Sequence, residues 1–229
     1  MTEQIVATQA TEIEYKFKVA DLFQINELSV SSAWTDWQSE RPGKKFHVHA
    51  EYFDTADRQL DAVMAALRLR REGEKRIMTL KFVDPSERVA PTDETGLFQR
   101  IELAAELPGD FKEPPIEIFA QQISNFWQII PRTIAQALNE PLRRYYVIDF
   151  ARQQRYLVSG KSDIELSLDQ GFFRNQAGVE QPFLEAEFEL VSGTLEDLQT
   201  LVDYAKQTFD LTPQPLSKYE SCVALDKIL

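Results

Sequence analysis

Near its start the chain reads Glu12-Ile13-Glu14-Tyr15-Lys16-Phe17-Lys18-Val19. Charged and apolar residues alternate through this stretch without a break. Because successive side chains of a β-strand point to opposite faces, the charges share one face of the predicted strand and the apolar residues share the other. The fold depends on which of these two faces points into the protein.

The same alternation recurs along the chain and predicts about eight strands. They are residues 13–19, 46–53, 67–71, 77–82, 98–103, 145–158, 164–168 and 183–191. Turn residues separate several of them, for example Gly73 and Gly160. Because most of the connections are short, the pattern favours antiparallel order.

Five further segments favour helices. They are residues 20–29, 56–65, 117–138, 194–209 and a segment that begins at Ser217. Pro131 should kink or divide the third segment, and Ser217 with Glu220 fits a capping box. The polar segment 85–96 is predicted to be a loop. We therefore predict one α+β domain over residues 1–229, with helices packed outside a barrel-like sheet and a helical insertion near 117–138.

The composition favours a soluble, cytoplasmic protein with a sizeable core. Hydrophobic residues make up 43% of the chain, and 37 acidic against 25 basic residues give a net charge of −12. This charge should repel nucleic acid and anionic membranes, so neither is expected as a partner. The amino end lacks the pattern of a signal peptide, and Cys222, the only cysteine, excludes an intramolecular disulfide.

The charges on these strands have two explanations. The polar face of a half-buried strand commonly points to solvent, and periodicity alone favours that interpretation. Here, however, the polar faces are nearly all charge, and the charges segregate by strand: Arg68 and Arg70 on one, Glu185, Glu187 and Glu189 on another. Three carboxylates in line repel one another unless a cation binds them.

The second explanation places the charged faces inside a closed barrel whose outer apolar face is covered by helices. A barrel of about eight strands has room for one small ligand, and buried charges require partners. Arginine and lysine suit phosphate oxygens, and carboxylates suit a hard cation such as Mg²⁺ or Mn²⁺. A triphosphate with a divalent metal ion matches both sets.

At this point the residues resemble the CYTH superfamily, also called triphosphate tunnel metalloenzymes. Glu12-Ile13-Glu14-Tyr15-Lys16 is similar to the E-x-E-x-K signature of that family. The resemblance extends in order and spacing from residue 12 to residue 220. The other matching segments are Tyr52-Phe53-Asp54-Thr55, Leu67-Arg68-Leu69-Arg70, Thr79-Leu80-Lys81, Asp149-Phe150-Ala151-Arg152, Ile164-Glu165-Leu166-Ser167-Leu168-Asp169, Leu184-Glu185-Ala186-Glu187 and Leu216-Ser217-Lys218.

The resemblance implies a closed eight-stranded antiparallel β-barrel that forms a charged tunnel, and it implies roles for individual residues. The implied phosphate ligands are Lys16, Arg68, Arg70, Lys81, Arg100, Arg152 and Lys218. The implied metal ligands, or supports of those ligands, are Glu12, Glu14, Asp169, Glu185 and Glu187. Glu12, Glu14 and Lys16 form the implied catalytic centre. Because Glu189 shares a face with Glu185 and Glu187, the resemblance leaves open which two of the three form the closing glutamate pair. Glu102 and Glu165 either support the metal ligands or are linked to the metal.

The resemblance implies a metal-dependent triphosphatase, and the first choice of reaction is hydrolysis of inorganic triphosphate to pyrophosphate and phosphate. The alternatives are a class IV adenylate cyclase, a thiamine triphosphatase and a non-catalytic module that binds triphosphate or polyphosphate. The expected partner is a small-molecule triphosphate with Mg²⁺ or Mn²⁺. The sequence leaves the oligomeric state open, and a homodimer is compatible with it.

The cysteine, the histidines and the tryptophans are predicted to have structural roles rather than roles at the site. Cys222 is predicted to pack rather than to react. His47 and His49 are predicted to have surface or packing roles because no third nitrogen or sulfur ligand for zinc is evident. The tryptophans are predicted to belong to the core. They are Trp34, Trp37 and Trp127.

Overall fold

The computed structural model describes residues 7–84 and 95–227. Within these residues, eight strands form one antiparallel barrel. They are β1 (Ala7–Lys18), β2 (Lys44–Thr55), β3 (Ala66–Glu72), β4 (Lys75–Phe82), β5 (Leu97–Glu106), β6 (Leu142–Ser159), β7 (Ser162–Asn175) and β8 (Glu180–Ser192). All eight predicted strands are confirmed, most of them longer than the alternation indicated. The predicted loop lies mostly outside the described residues, in the segment 85–94.

The barrel closes at β1, the strand that opens the chain. β1 pairs with β8 through residues such as Glu14 and Glu189, and with β5 through residues such as Glu12 and Arg100. The strand order is β5-β4-β3-β2-β6-β7-β8-β1. A two-residue strand, β9 (Thr212–Pro213), pairs with the end of β1. The sheet therefore presents an inner and an outer surface.

Six α-helices accompany the barrel among the described residues. They are α1 (Leu22–Val30), α2 (Ile116–Gln122), α3 (Phe126–Ile129), α4 (Arg132–Leu138), α5 (Leu195–Phe209) and α6 (Lys218–Leu225). Thr194 caps α5 by accepting a hydrogen bond from the backbone of Asp197. The predicted capping box of Ser217 and Glu220 opens α6.

Helices cover the apolar outer face of the barrel in two places. α2, α3 and α4 pack on the outer face of β2 to β5, where Leu67 and Leu80 are fully buried. α1 and α5 pack on the outer face of β1 and β6 to β8, around Trp34 and Phe188. Because these helices take up the apolar faces, the charged faces of the strands point into the barrel. The second explanation of the alternating charges is therefore confirmed.

Phe188 supports this outer core, and we expect Phe188→Ala to lower the free energy of unfolding by about 3–5 kcal/mol, since a large cavity replaces the ring. The ring centroid of Phe188 lies 5.8 Å from that of Phe17 and 6.2 Å from that of Trp34. Urea unfolding measures the effect. Phe172→Ala is the matched control because Phe172 is 36% exposed. Equal losses in both variants would contradict the packing described.

The segment 56–65 does not form the predicted helix, which is a correction. It holds only a 3₁₀ turn at Asp61–Val63. The cause is the buried carboxylate of Asp54, which accepts hydrogen bonds from the backbone N–H groups of Leu60 at 2.9 Å and Asp61 at 3.0 Å. These local bonds satisfy the backbone in a tight turn and compete with a helix.

The segment 117–138 forms three short helices rather than one long helix with a break. Pro131 divides the segment as predicted, because it immediately precedes α4. A second break occurs at Asn125, whose backbone is left-handed (φ 56°). The tryptophan prediction also needs a correction: Trp34 is buried, but Trp127 at the start of α3 is 44% exposed.

α6 lies inside one end of the barrel. Its residues Tyr219, Cys222 and Leu225 pack against the inner faces of β2, β6 and β7, where Tyr52 and Phe150 are buried. The predicted packing role of Cys222 is thereby confirmed. Among the described residues, no helix combines the length and apolar character that crossing a membrane requires.

Candidate functional site

The inner faces of the strands line a cavity of about 230 Å³, which has room for a small ligand rather than a macromolecule. The cations predicted from the sequence all line this cavity. They are Lys16, Arg68, Arg70, Lys81, Arg100, Arg152 and Lys218. They come from β1, β3, β4, β5, β6 and the start of α6, so the fold brings together side chains that are far apart in the sequence.

The predicted carboxylates divide into two groups. Glu12, Glu14 and Glu187 line the cavity. Asp169 and Glu185 are 0% and 1% exposed, and they lie behind the cavity wall, against Lys218. The remaining carboxylates named from the sequence also line the cavity. They are Glu102, Glu165 and Glu189.

Several wall residues were not predicted from the sequence, among them Glu72, Gln154 and Tyr52. Glu72 continues the alternation of Arg68 and Arg70 on β3, but the predicted strand ended one residue before it. Gln154 likewise continues the alternation after Arg152 on β6. Tyr52 lies on β2, between the strands that carry Glu72 and Gln154, and its polar hydroxyl was hidden by an apolar pattern in the sequence.

Cations of neighbouring strands hold Glu12 and Glu14. Arg100 Nη2 donates to Glu14 Oε1 at 2.7 Å and to Glu12 Oε2 at 3.2 Å. Lys81 Nζ donates to Glu12 and lies 2.8 Å from Glu102 Oε2. Burial alone would raise the pKa of Glu12, but Lys81 and Arg100 hold this pKa well below its ordinary value.

Glu14 and Glu189 face each other across the seam between β1 and β8. Burial, together with the nearby charge of Glu12, raises the pKa of Glu14. Burial and the charges of Glu12 and Glu14 raise the pKa of Glu189 to about 8. Like charges placed opposite each other destabilise a sheet, so this part of the wall is short of positive charge. Its carboxylate oxygens are the donors that Mg²⁺ and Mn²⁺ prefer, and they fit such an ion.

A second acidic group, which we call the carboxylate cluster, consists of Asp169, Glu185 and Glu187. One oxygen from each lies within 4.8 Å of the others, a spacing consistent with divalent-metal binding. The ammonium of Lys218 lies among these oxygens at 2.5–2.9 Å. Although burial opposes it, the three carboxylates raise the pKa of Lys218 well above its ordinary value.

Arg68 and Arg70 on β3 provide buried hydrogen-bond donors on the opposite side of the cavity. The Nε atom of each is buried and has no hydrogen-bond acceptor among the described residues, although Arg70 Nε lies 2.9 Å from Glu72 Oε1 as an ion pair. Burial and the neighbouring charge of Arg68 lower the pKa of Arg70. Buried donors without acceptors are costly, and an anionic ligand with several oxygens would satisfy them.

His49 lies away from the cavity, on the outer face of β2. Its Nδ1 is 2.7 Å from Asp149 Oδ1, and its Nε2 is 3.9 Å from Glu51 Oε1, a carboxylate that also accepts from Arg144. Glu51 and Asp149 raise the pKa of His49 above 6.5, against the effect of partial burial.

This arrangement predicts a pH-dependent contribution to stability. The charged imidazole is favoured in the folded state, so its stabilisation is present below pH 6.5 and is lost as the pH rises through the raised pKa of the folded protein. His49→Gln should therefore lower the free energy of unfolding, and we expect this loss to be larger at about pH 5.5 than at about pH 8.5. Urea unfolding at both pH values measures this, and an equal difference would contradict it.

Comparison with known proteins identifies a family. The CYTH domain profile matches residues 10–216. No curated protein matches the chain. Solved structures do: a Hippeastrum protein described as an adenylyl cyclase candidate with a dominant triphosphatase activity has 19% identity and a TM-score of 0.61, covering 93% of this chain and 95% of its own.

Two further solved structures share the fold. An adenylate cyclase candidate from Bacillus halodurans has 20% identity and a TM-score of 0.52, covering 92% of this chain and 95% of its own. A protein from Pyrococcus horikoshii has 15% identity and a TM-score of 0.53, covering 94% of this chain and 99% of its own. At these identities the similarity bears on the fold alone.

The family profile also spans most of the chain. Residues 10–216 run from within β1 to the residue before the cap of α6, and therefore include all the strands that build the charged cavity. The chain belongs to the CYTH family of triphosphate tunnel proteins.

Proposed function

We propose that the protein hydrolyses inorganic triphosphate to pyrophosphate and phosphate inside the barrel, with Mg²⁺ or Mn²⁺. The observation that carries this proposal is the pair Arg68 and Arg70. Among the described residues the buried Nε of Arg68 has no hydrogen-bond acceptor, and that of Arg70 has only its ion-pair contact with Glu72. They face a cavity whose other side is rich in carboxylates. A ligand that satisfies both sides must be strongly anionic and must bind together with a cation.

The cations on the wall bind and orient the triphosphate. Arg68, Arg70 and Arg100 present planar guanidinium groups, which suit paired phosphate oxygens. Lys16 and Lys81 supply compact charges. Arg152 and Lys218 complete the basic wall. Because ion pairs fix all of these groups except Arg68 before the substrate arrives, they stabilise developing charge on the phosphate oxygens with little rearrangement.

In the proposed reaction, the oxygen of a water molecule bonds to the terminal phosphorus while the bond from that phosphorus to its bridging oxygen breaks. The products are phosphate and pyrophosphate, and no covalent enzyme intermediate is required. Lys16 lies 3.3 Å from Glu14 Oε1 and also contacts Glu187, so it connects the basic and acidic parts of the wall at the reacting end.

The metal belongs to the acidic part of the wall. Glu12 and Glu14, together with Glu187, are the proposed ligands on the cavity surface, with Asp169 and Glu185 behind them. A bound divalent cation supplies charge neutralisation and activates water for attack.

The test is phosphate release from inorganic triphosphate, ATP and thiamine triphosphate in parallel, with Mg²⁺, Mn²⁺ or EDTA. Fast metal-dependent cleavage of inorganic triphosphate alone supports the proposal. Cyclic AMP formed from ATP without that cleavage moves the assignment to an adenylate cyclase. Preferred cleavage of thiamine triphosphate points to that ester as substrate, and tight binding of triphosphate without turnover points to a binding module.

A further inference from the structure

The ammonium of Lys218 already has three anionic partners inside the barrel. Its Nζ lies 2.5 Å from Glu185 Oε2, 2.6 Å from Glu187 Oε1 and 2.9 Å from Asp169 Oδ2. A lysine ammonium has three donors, so each donor can be matched to one oxygen of the carboxylate cluster. Lys218 therefore takes the place among these carboxylates that a metal ion would require.

Asp169 also holds a second cation. Arg152 Nε donates to Asp169 Oδ1 at 2.8 Å, and Arg152 Nη2 donates to Asp169 Oδ2 at 2.6 Å. Arg152 Nη2 also donates to Glu187 at 2.6 Å. These hydrogen bonds fix the plane of the Arg152 guanidinium, and the Arg152 side chain remains on the cavity wall. Asp169 itself does not reach the wall.

The charges of this region balance. The carboxylate cluster contributes three negative charges, and Lys16, Arg152 and Lys218, which contact it, contribute three positive charges. The seam between β1 and β8 differs. Lys81 and Arg100 contact Glu12 and Glu14, and the third nearby cation, Lys16, lies 3.3 Å from Glu14 but is shared with Glu187 of the cluster, while burial and the charges of Glu12 and Glu14 act on Glu189. Removing one partner of a buried ion pair is costly. A metal ion that displaced Lys218 would have to overcome that cost, whereas at the seam it would relieve repulsion.

We propose that Asp169 and Glu185 are positioning residues, which hold Lys218 and Arg152 at the cavity wall, and that they do not bind the metal. Both ends of α6 support this role. The capping box of Ser217 and Glu220 fixes the turn that carries Lys218, and the C-cap residue Asp226 accepts from Tyr146 at 2.5 Å and from Asn175 at 3.0 Å. Lys218 is therefore presented by a helix that cannot easily shift.

The inference rests on the proposed function only where triphosphate is concerned, and metal binding tests it separately. We expect Asp169→Asn and Glu185→Gln to change the affinity for Mn²⁺, measured without substrate by electron paramagnetic resonance, by less than about 3-fold. The same variants should weaken triphosphate binding by about 10–100-fold, as loss of a supporting partner typically does. A loss of Mn²⁺ affinity above about 10-fold in either variant would place the metal in the cluster and overturn the inference.

Lys218→Met supplies a second test that does not depend on the stability of the first two variants. Without the ammonium, the carboxylate cluster has an empty cation position. We expect Lys218→Met to bind one more Mn²⁺ per chain than wild type. The double variant Lys218→Met with Asp169→Asn should lose this extra ion. An unchanged Mn²⁺ count in Lys218→Met would show that Lys218 does not occupy a metal position. If wild type binds Mn²⁺ but no triphosphate, the proposed function fails while these counts still decide the role of the cluster.

Discussion

Glu14→Gln is expected to lower the turnover of inorganic triphosphate by about 100-fold or more, since even supporting groups of a metal site typically contribute about 10–100-fold. Glu14 lies on the cavity wall and faces Glu189 across the barrel seam. The substitution keeps the shape of the side chain but removes a charge that the cation needs. Triphosphate binding should survive, because the cations that hold the phosphates remain. Phosphate release at saturating substrate and calorimetric binding measure the two effects.

Glu140→Gln is the matched control for this substitution. Glu140 is an exposed carboxylate beyond the end of α4, so its loss should alter neither turnover nor binding. Unchanged turnover in Glu14→Gln would remove Glu14 from the proposed metal site. Loss of both turnover and triphosphate binding would instead show that Glu14 organises the whole wall.

Replacing both Arg68 and Arg70 by methionine is expected to raise the dissociation constant for triphosphate by about 100-fold to about 10⁴-fold. Each charge-assisted hydrogen bond contributes about 1.5–3 kcal/mol, and losing one from each arginine gives that range. Binding calorimetry measures the change. Arg132→Met, at an exposed position on α4, is the control and should bind triphosphate like wild type.

Arg70→Met alone should raise the stability of the ligand-free protein. Arg70 has a pKa lowered by burial and by Arg68. A base whose pKa is lower in the folded state destabilises that state while it is charged. Removing this charge should therefore raise the free energy of unfolding at neutral pH, measured in urea. A loss of stability together with unchanged triphosphate binding would mean that Arg70 serves the fold rather than a ligand.

Much of the fold could be predicted from the sequence, because successive side chains of a strand must point to opposite faces of the sheet. Leu67 and Leu69 had to leave the barrel interior if Arg68 and Arg70 entered it, and the outer helices supply the apolar surface that this requires. The segment 56–65 could not be assigned correctly, since its conformation depends on hydrogen bonds to Asp54, which lies earlier in the chain.

The sequence also did not predict which site residues reach the cavity surface and which are buried behind it. Period-two spacing puts Asp169, Glu185 and Glu187 on inner faces, but it says nothing about which of them reach the cavity. That distinction depends on α6, which inserts Lys218 among them. The carboxylates thus look equivalent in the sequence, whereas in the folded protein only Glu187 has access to the cavity.

The closing of the barrel at β1 also constrains how the protein is made. β1 can pair with β5 early in synthesis, but its other partner, β8, ends only at Ser192. At about 5–20 residues per second on the ribosome, the nascent chain waits several seconds between completing β5 and completing β8. During that time one edge of β1 is open, and the apolar side of the sheet lacks α5. An unpaired edge of this kind is a template for association with other chains, so the new protein is most exposed to aggregation before its last long strand emerges.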